Sequence, residues 1–185
     1  VLVMLFVSVF GLAGCKDRLD DLEYIQEKGT FILGFTEFPP MGFVENGVAT
    51  GFDIEIARAV VERLGVEFQT RYIDWSAKEL ELKSRRVDAV WNGMTITEER
   101  KLEMTFSVPY FDNQLVILSR ANNPLKTIAS LSNKNIGVEL SSSADIAVSA
   151  REDIVSAVSQ IKKYATSSDA LLALQAGQID VLIVD

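Results

Sequence analysis

Apolar residues along the chain fall into two alternating rhythms. One is a series of short runs with the composition of buried strands: "TFILGF" (30–35), "VEFQTRYI" (66–73), "VDAVW" (87–91), "NQLVILS" (113–119), "KNIGVEL" (134–140), "QIKKYA" (160–165) and "IDVLIVD" (179–185). The other has helical spacing. In "GFDIEIARAVVERLG" (51–65), Phe52, Ile54, Ile56, Ala59, Val60 and Leu64 recur near the helical period, and Gly65 supplies a stop. "SAKELELKSR" (76–85), "SSADIAVSAREDIVSAV" (142–158) and "SDALLALQAGQ" (168–178) predict three more helices. Pro39, Pro40 and Gly42 force a loop after the first strand, and "SVPYF" (107–111) breaks the pattern before it resumes. The charged stretch from Lys16 to Lys28 suits a tether or an entry helix. Strands alternating with helices predict an α/β fold with largely parallel sheets.

The chain also echoes itself. "LELKSRRVDAVWNG" and "LLALQAGQIDVLIVD" share a helix, a short turn, then Val-Asp or Ile-Asp leading into a buried strand. Superposing Val87 on Ile179 sets Gly93 against Asp185. Two similar lobes would each offer the carboxyl end of such a strand, which is where open α/β sheets bind ligands. Two generic strand–helix units that match by chance would give the same echo.

Composition narrows the chemistry. With 185 residues, 48% of them hydrophobic, the chain carries enough apolar mass for a core, in one domain or two small ones. A formal net charge of -8 without a basic run argues against a nucleic-acid partner. Histidine is absent, which removes Ser-His and Cys-His nucleophile pairs and the commonest zinc ligand. The single cysteine excludes an internal disulfide and a cysteine metal cluster, so neither metal nor cofactor is expected. No P-loop or G-x-G-x-x-G run is present to cradle phosphates. Any catalysis would rest on carboxylates, lysine or tyrosine.

The cysteine's place carries information of its own. "VLVMLFVSVFGLAGC" (1–15) has no charge, and "KDRLDD" follows at once. The run is shorter than the roughly 20 apolar residues of a permanent span and matches a secretory leader instead. Leu12-Ala13-Gly14-Cys15 resembles a bacterial lipobox, in which cleavage leaves Cys15 as a diacylated N-terminus. The plainer alternative is a buried N-terminal helix with an inert thiol. No Lys or Arg precedes the apolar run, a departure from the usual leader. The expectation is an extracytoplasmic protein anchored to the cell membrane by lipid on Cys15.

One stretch concentrates polar chemistry. In "WNGMTITEER" (91–100) a buried strand runs into Asn-Gly, then two threonines, then a short charged turn. Together with "FPPMGF", "GFDIEIA", "IDW", "FSVPYF", "IGVELSSSAD" and "GQIDVLIVD", in this order and at these spacings, it resembles the solute-binding proteins of polar amino-acid ABC importers. The likeness runs from about Phe31 to the last residue. Singly these motifs are weak; G-F-D-I-x-I-A combined with G-M-T-I-T-x-E-R is specific. The resemblance implies a type II periplasmic-binding-protein-like fold, with two α/β lobes around a ligand cleft. It divides the chain into a leader (1–15), the first part of lobe one (16–111), and a hinge crossing with lobe two (112–185). The first crossing would fall near Phe111 to Gln114. The C-terminal return to lobe one, which members of the family carry, would lie beyond Asp185. The implied partners are a free amino acid and the ABC permease of a cognate importer, with the protein a monomer.

By the same resemblance Arg100 takes the ligand carboxylate. A planar guanidinium gives two parallel charge-assisted bonds and stays charged; read alone, Arg100 would be a solvated helix residue beside Glu98 and Glu99. Thr95 adds its N–H and hydroxyl to the carboxylate. Thr97 suits a helix N-cap that positions Arg100. The ammonium would meet a carbonyl near Asn92 and Gly93 together with Asp185, whose bland reading is chain-end exposure. Ser143 would close on the carboxylate from lobe two, or act as a simple serine cap. Phe38 and Trp75 would flank the side chain, or serve as core aromatics. Glu37 and Glu139 lie near pocket-lining positions, and two acids there hint at a basic ligand.

Other functions use the same fold. A cyclohexadienyl-dehydratase-like enzyme would need a placed carboxylic acid, for which Glu37 or Glu139 would serve. A sensor domain would need a membrane helix after Asp185. The leading reading is a binding module without catalytic residues.

Overall fold

A computed structural model describes residues 20–185; the leader expected over 1–15, with Cys15, lies outside that range. Helix α1 (Asp21–Lys28) starts where the Asp20 carboxylate accepts from the Glu23 N–H at 2.8 Å. Strand β1 (Thr30–Phe35) follows, then a hairpin of β2 (Phe43–Glu45) and β3 (Val48–Thr50), helix α2 (Phe52–Leu64) and β4 (Glu67–Tyr72). A 3-10 turn at Trp75–Ala77 leads into α3 (Lys78–Lys83), β5 (Ala89–Val90) and the single-turn helix α4 (Glu98–Lys101). These strands form a parallel sheet in the order β4-β1-β5, with β2 and β3 apart. After an irregular passage come β6 (Val116–Ser119), a 3-10 turn (Ile128–Leu131), β7 (Asn135–Glu139), α5 (Ser143–Ser149), α6 (Glu152–Ala157), β8 (Gln160–Tyr164), α7 (Ser167–Gln175) and β9 (Val181–Val184). They build a second sheet in the order β6-β9-β7-β8, in which only β6 runs antiparallel. Each sheet has its own core. Leu33, Phe35, Ile54 and Ala57 cluster in the first lobe; Ile136, Val138, Val148 and Val181, with a neighbouring group around Leu174 and Ile179, fill the second.

The echo in the sequence is an echo in the structure. Asp88 donates its N–H to the Ile32 carbonyl at 2.8 Å, and its carboxylate accepts from the Ile32 N–H at 2.7 Å. Asp180 does the same to Asn135, at 2.9 Å in both directions. In each lobe the aspartate thereby pins the central strand to the strand that follows it. The apolar residue before each aspartate, Val87 or Ile179, fills the space that a glycine leaves on that central strand. A Cβ on Gly34 would meet Val87, and one on Gly137 would collide with Ile179. The strand ends after β5 and after β9 both follow from this one device.

Several elements depart from expectation. The helix predicted over 142–158 is two helices, because Arg151 is extended (φ -104, ψ 92) and ion-pairs with Asp153 at 2.6 Å. Ala144, Val148 and Ile154 share one core cluster. At about 100° per residue a continuous helix would turn Ile154 well away from Val148, so the break is what lets both reach the core. Helix α2 buries Asp53, Ile54, Ala57 and Val61, whereas Phe52 and Val60 are 46% and 39% exposed. The stripe at 54, 57 and 61 packs on the sheet, and Phe52 turns to Phe111, ring centroids 6.0 Å apart. The β2–β3 hairpin was not expected, although Asn46-Gly47, both at positive φ, is a strong two-residue turn signal.

Candidate ligand-binding cleft

The carboxyl ends of the two sheets face each other across a small cavity of about 20 Å³, about the room of a single water. Lobe one lines it with Thr36, Phe38, Trp75, Asn92, Gly93, Thr95 and Arg100; lobe two brings Glu139, Ser142, Ser143 and Asp185. Of the expected site residues only Glu37 stays outside. Its carboxylate accepts from the Val44 N–H at 3.3 Å, held by the unforeseen hairpin.

Arg100 is placed by a helix that lasts one turn. The Thr97 hydroxyl caps it by accepting from the Arg100 N–H at 3.2 Å, as the sequence led us to expect. Arg100 as a whole is 5% exposed. Nη1 donates to the Thr95 carbonyl at 2.7 Å, and Nη2 crosses the cleft to the Ser141 carbonyl at 3.1 Å. Burial lowers its pKa from the usual arginine value, against the opposing charges of Glu79, Asp185 and Glu99. Arginine stays protonated all the same.

Asp185 sits opposite and is bound from both lobes. The Ser143 hydroxyl lies 2.6 Å from each carboxylate oxygen, Thr95 Oγ1 donates at 3.1 Å, and Asn113 Nδ2 donates at 2.6 Å. Ser142, not Ser143, caps α5, its hydroxyl accepting from the Asp145 N–H at 3.1 Å. Ser143 is thereby left to face the cleft.

The Asn92-Gly93 turn is braced from behind. Gly93 has φ 63, and a side chain there would run into the Phe38 ring, so only glycine fits without strain. Its N–H donates to Asp53 Oδ2 at 2.5 Å, and Tyr110 donates its hydroxyl hydrogen to Asp53 Oδ1 at 2.7 Å. Trp91 Nε1 in turn donates to the Tyr110 oxygen at 2.9 Å. Asp53 is fully buried, and burial raises its pKa although Tyr110, Gly93 and Trp91 all favour the carboxylate. Asn92 donates to the Thr36 carbonyl at 3.2 Å.

Trp75 is buried, with Lys78 Nζ 5.2 Å from its ring centroid. Lys78 is the more surprising residue, 2% exposed on a helix whose pattern reads as a solvated one. Its amine donates to the Trp75 carbonyl at 3.1 Å and across the cleft to the Ser141 carbonyl at 3.3 Å, and pairs with Glu79 at 3.2 Å. Burial pulls its pKa down. Glu139, at the end of β7, is buried as well. Its Oε2 accepts from the Ser167 hydroxyl at 2.5 Å, while Oε1 has no partner. Burial pushes its pKa up to about 7; Asp185 adds to the rise, and Ser167 and Lys78 oppose it.

Sequence reasoning therefore missed Asp53, Lys78, Asn113 and Ser167. Asp53 stood in a quoted motif but was read only as part of a helix. Asn113 lay inside the expected crossing. For Lys78 and Ser167 no local signal existed, since their partners Ser141 and Glu139 are distant in the chain. Among the described residues no cluster of His, Cys, Asp and Glu could hold a metal, and no helix is long and apolar enough to cross a membrane.

Two α/β lobes whose polar strand ends meet in a cleft, a buried cation facing a half-buried carboxylate, define a two-lobed ligand-binding protein of the type II periplasmic-binding-protein fold. Residues 32–172 match the bacterial extracellular solute-binding proteins, family 3, and the chain belongs to that family. It is 30% identical to the L-cystine-binding protein TcyJ of Escherichia coli (strain K12), over 99% of this chain and 69% of that protein. Among solved structures, a substrate-binding protein of an ABC uptake transporter from Streptococcus pneumoniae with bound histidine superposes with a TM-score of 0.85. It is 32% identical, over 90% of this chain and 70% of that one. The arginine-bound Gly52Ala mutant of ArgBP from T. maritima gives a TM-score of 0.81 at 32% identity, over 89% and 76%. The chain spans 46 to 63% of the length of six further curated relatives. TcyJ, the Streptococcus pneumoniae protein and ArgBP are binding proteins by name.

Proposed function

We propose that this protein captures a free L-amino acid between its lobes outside the cytoplasm and delivers it to the permease of an ABC importer. The observation that carries this reading is the opposition of Arg100 and Asp185 in one cavity, each bonded to groups of both lobes. A zwitterion needs such a pair, because burying either of its charges unpaired is costly. The α-carboxylate would take the guanidinium from the Thr95 and Ser141 carbonyls, and receive Thr95 and Ser143 as further donors. The ammonium would go to Asp185 and the carbonyls at Asn92 and Gly93. Trp75 and Phe38 would flank the side chain. With the ligand in place the same donors that now hold lobe to lobe would hold lobe to ligand to lobe.

A hinge near residues 111–114 would open the lobes to admit the ligand and close them on it; small-angle scattering should then show a smaller radius with ligand than in the open, ligand-free form. Cys15 would carry the lipid that keeps the monomer at the membrane. No group in the cleft is assigned a catalytic role. A thermal-shift panel of the amino acids tests the whole reading: one or more should raise the melting temperature, by mass action. A flat response across the panel contradicts it.

A further inference from the structure

The clamp described above recognises what every amino acid shares. Selection among them must come from the remaining polar groups in the cleft, and most of these are already committed. Lys78 has its amine bonded to two carbonyls and paired with Glu79. Among the described residues, two buried side-chain atoms stand without a hydrogen-bond partner, Asn92 Oδ1 and Glu139 Oε1. The first is turned to Gly42, where an added Cβ would collide with it, so it looks into its own lobe. The second belongs to a residue that lines the cleft and is 6% exposed. A buried acceptor left without a donor costs free energy that a ligand donor would return.

We propose, on the footing of the amino-acid reading above, that Glu139 is the side-chain selector. Its free carboxylate oxygen receives the terminal N–H of a cationic side chain, an ammonium or a guanidinium, so that basic amino acids bind in preference to neutral ones. Glu139 lies on lobe two, across from the Trp75 and Phe38 rings that would flank the aliphatic stem of such a ligand. Ser167, at the start of α7, holds the other carboxylate oxygen and so fixes the direction of the free one.

The charges around Glu139 make the pairing dependent on pH. Asp185 at the end of β9 repels its ionised form, and Lys78 of α3, already paired, attracts it only in part; Ser167 supplies its hydroxyl. Without ligand the carboxyl therefore titrates near neutrality, at about 7. A cation set against Oε1 favours the carboxylate and expels the proton. Binding of a basic amino acid should release about one proton per ligand near pH 6 and almost none above about pH 8, with affinity about tenfold weaker at the lower pH. A neutral side chain sets no cation against Oε1 and should release far less of the proton.

Calorimetric titration of the full-length protein with L-arginine, L-lysine and L-glutamine, at pH 6 and pH 8 in buffers of different ionisation enthalpy, reads both effects. The expected result is preference for a basic ligand with proton release at the lower pH. Glu139→Gln keeps a group for Ser167 to bond, and should remove the proton release while weakening basic ligands on the order of 30-fold or more. Equal or tighter binding of glutamine, or basic-ligand binding with no buffer dependence, overturns the selector and leaves the amino-acid reading intact. Binding by none of the three, with a flat thermal-shift panel, overturns both. The wild-type pH dependence decides the matter even if Glu139→Gln fails to fold.

Discussion

Arg100→Ala is the substitution from which most can be learned. The side chain is 5% exposed and makes two bonds, to the Thr95 carbonyl at 2.7 Å and to the Ser141 carbonyl at 3.1 Å. One lies within its lobe and one spans the cleft, so truncation loosens the closed form and leaves the ligand carboxylate without its counter-charge. Removing one member of a buried charged pair costs about 2–5 kcal/mol, or roughly 30- to 5,000-fold in affinity. Arg100→Lys should fail substantially too, because one ammonium cannot serve two acceptors set apart as a guanidinium fork requires. The loss should be similar for every amino acid that binds, since the carboxylate is common to them all. Calorimetry on wild type and both variants, with melting curves of the ligand-free proteins as a check on folding, supplies the numbers. If Arg100→Ala binds the cognate amino acid within about threefold of wild type, under ~1 kcal/mol, the clamp assignment is wrong.

Three further outcomes follow from the same geometry. Gly93→Ala meets both a positive φ of 63 and the Phe38 ring 2.9 Å away, and should lower stability by about 1–2 kcal/mol and weaken binding, seen in melting curves and titrations. Glu139 is raised from 4.5 to about 7, so the folded state binds its proton more tightly than the unfolded state does. Its cost is absent below about pH 4.5, grows as pH rises to about 7, and reaches about 3 kcal/mol at most. Wild type should therefore lose stability relative to Glu139→Gln over that window, measured by denaturant titration; parallel curves would remove the buried, isolated carboxyl. Cys15→Ala should release the protein from the membrane fraction or block its processing, because one acyl pair contributes about 0.8 kcal/mol per buried CH₂; unchanged membrane retention by fractionation would refute lipid anchoring.

The sequence made the repeating elements legible where a single local rule decides them. Val87-Asp88 and Ile179-Asp180 were recognisable as a pair because each apolar residue and each aspartate does its work within one strand-to-strand contact. Gly65 and Thr97 end and begin helices by local geometry alone. The break at Arg151 was hidden, since both halves of 142–158 keep helical spacing and only the shared core forces the turn. Glu37 and Glu139 were equal candidates in the sequence; the β2–β3 hairpin, itself signalled by Asn46-Gly47, draws the first away. Lys78 was illegible in a deeper sense. A lysine in a charged helix says nothing of its burial, which depends on a carbonyl contributed by the other lobe at Ser141. Resemblance supplied the residues of the proposed clamp, and geometry added Asp53, Tyr110 and Asn113 as the groups bonded around them.

The most direct test uses the ligand rather than the protein. An amino acid that binds should be titrated beside its α-carboxamide and its des-amino analogue, against wild type, Arg100→Ala and Asp185→Asn. The account predicts that wild type loses on the order of 30-fold or more with either analogue. Arg100→Ala should lose its discrimination against the carboxamide alone, and Asp185→Asn its discrimination against the des-amino analogue alone. Wild type that binds the carboxamide as well as the acid would contradict the reading of this cleft as a clamp for a zwitterion.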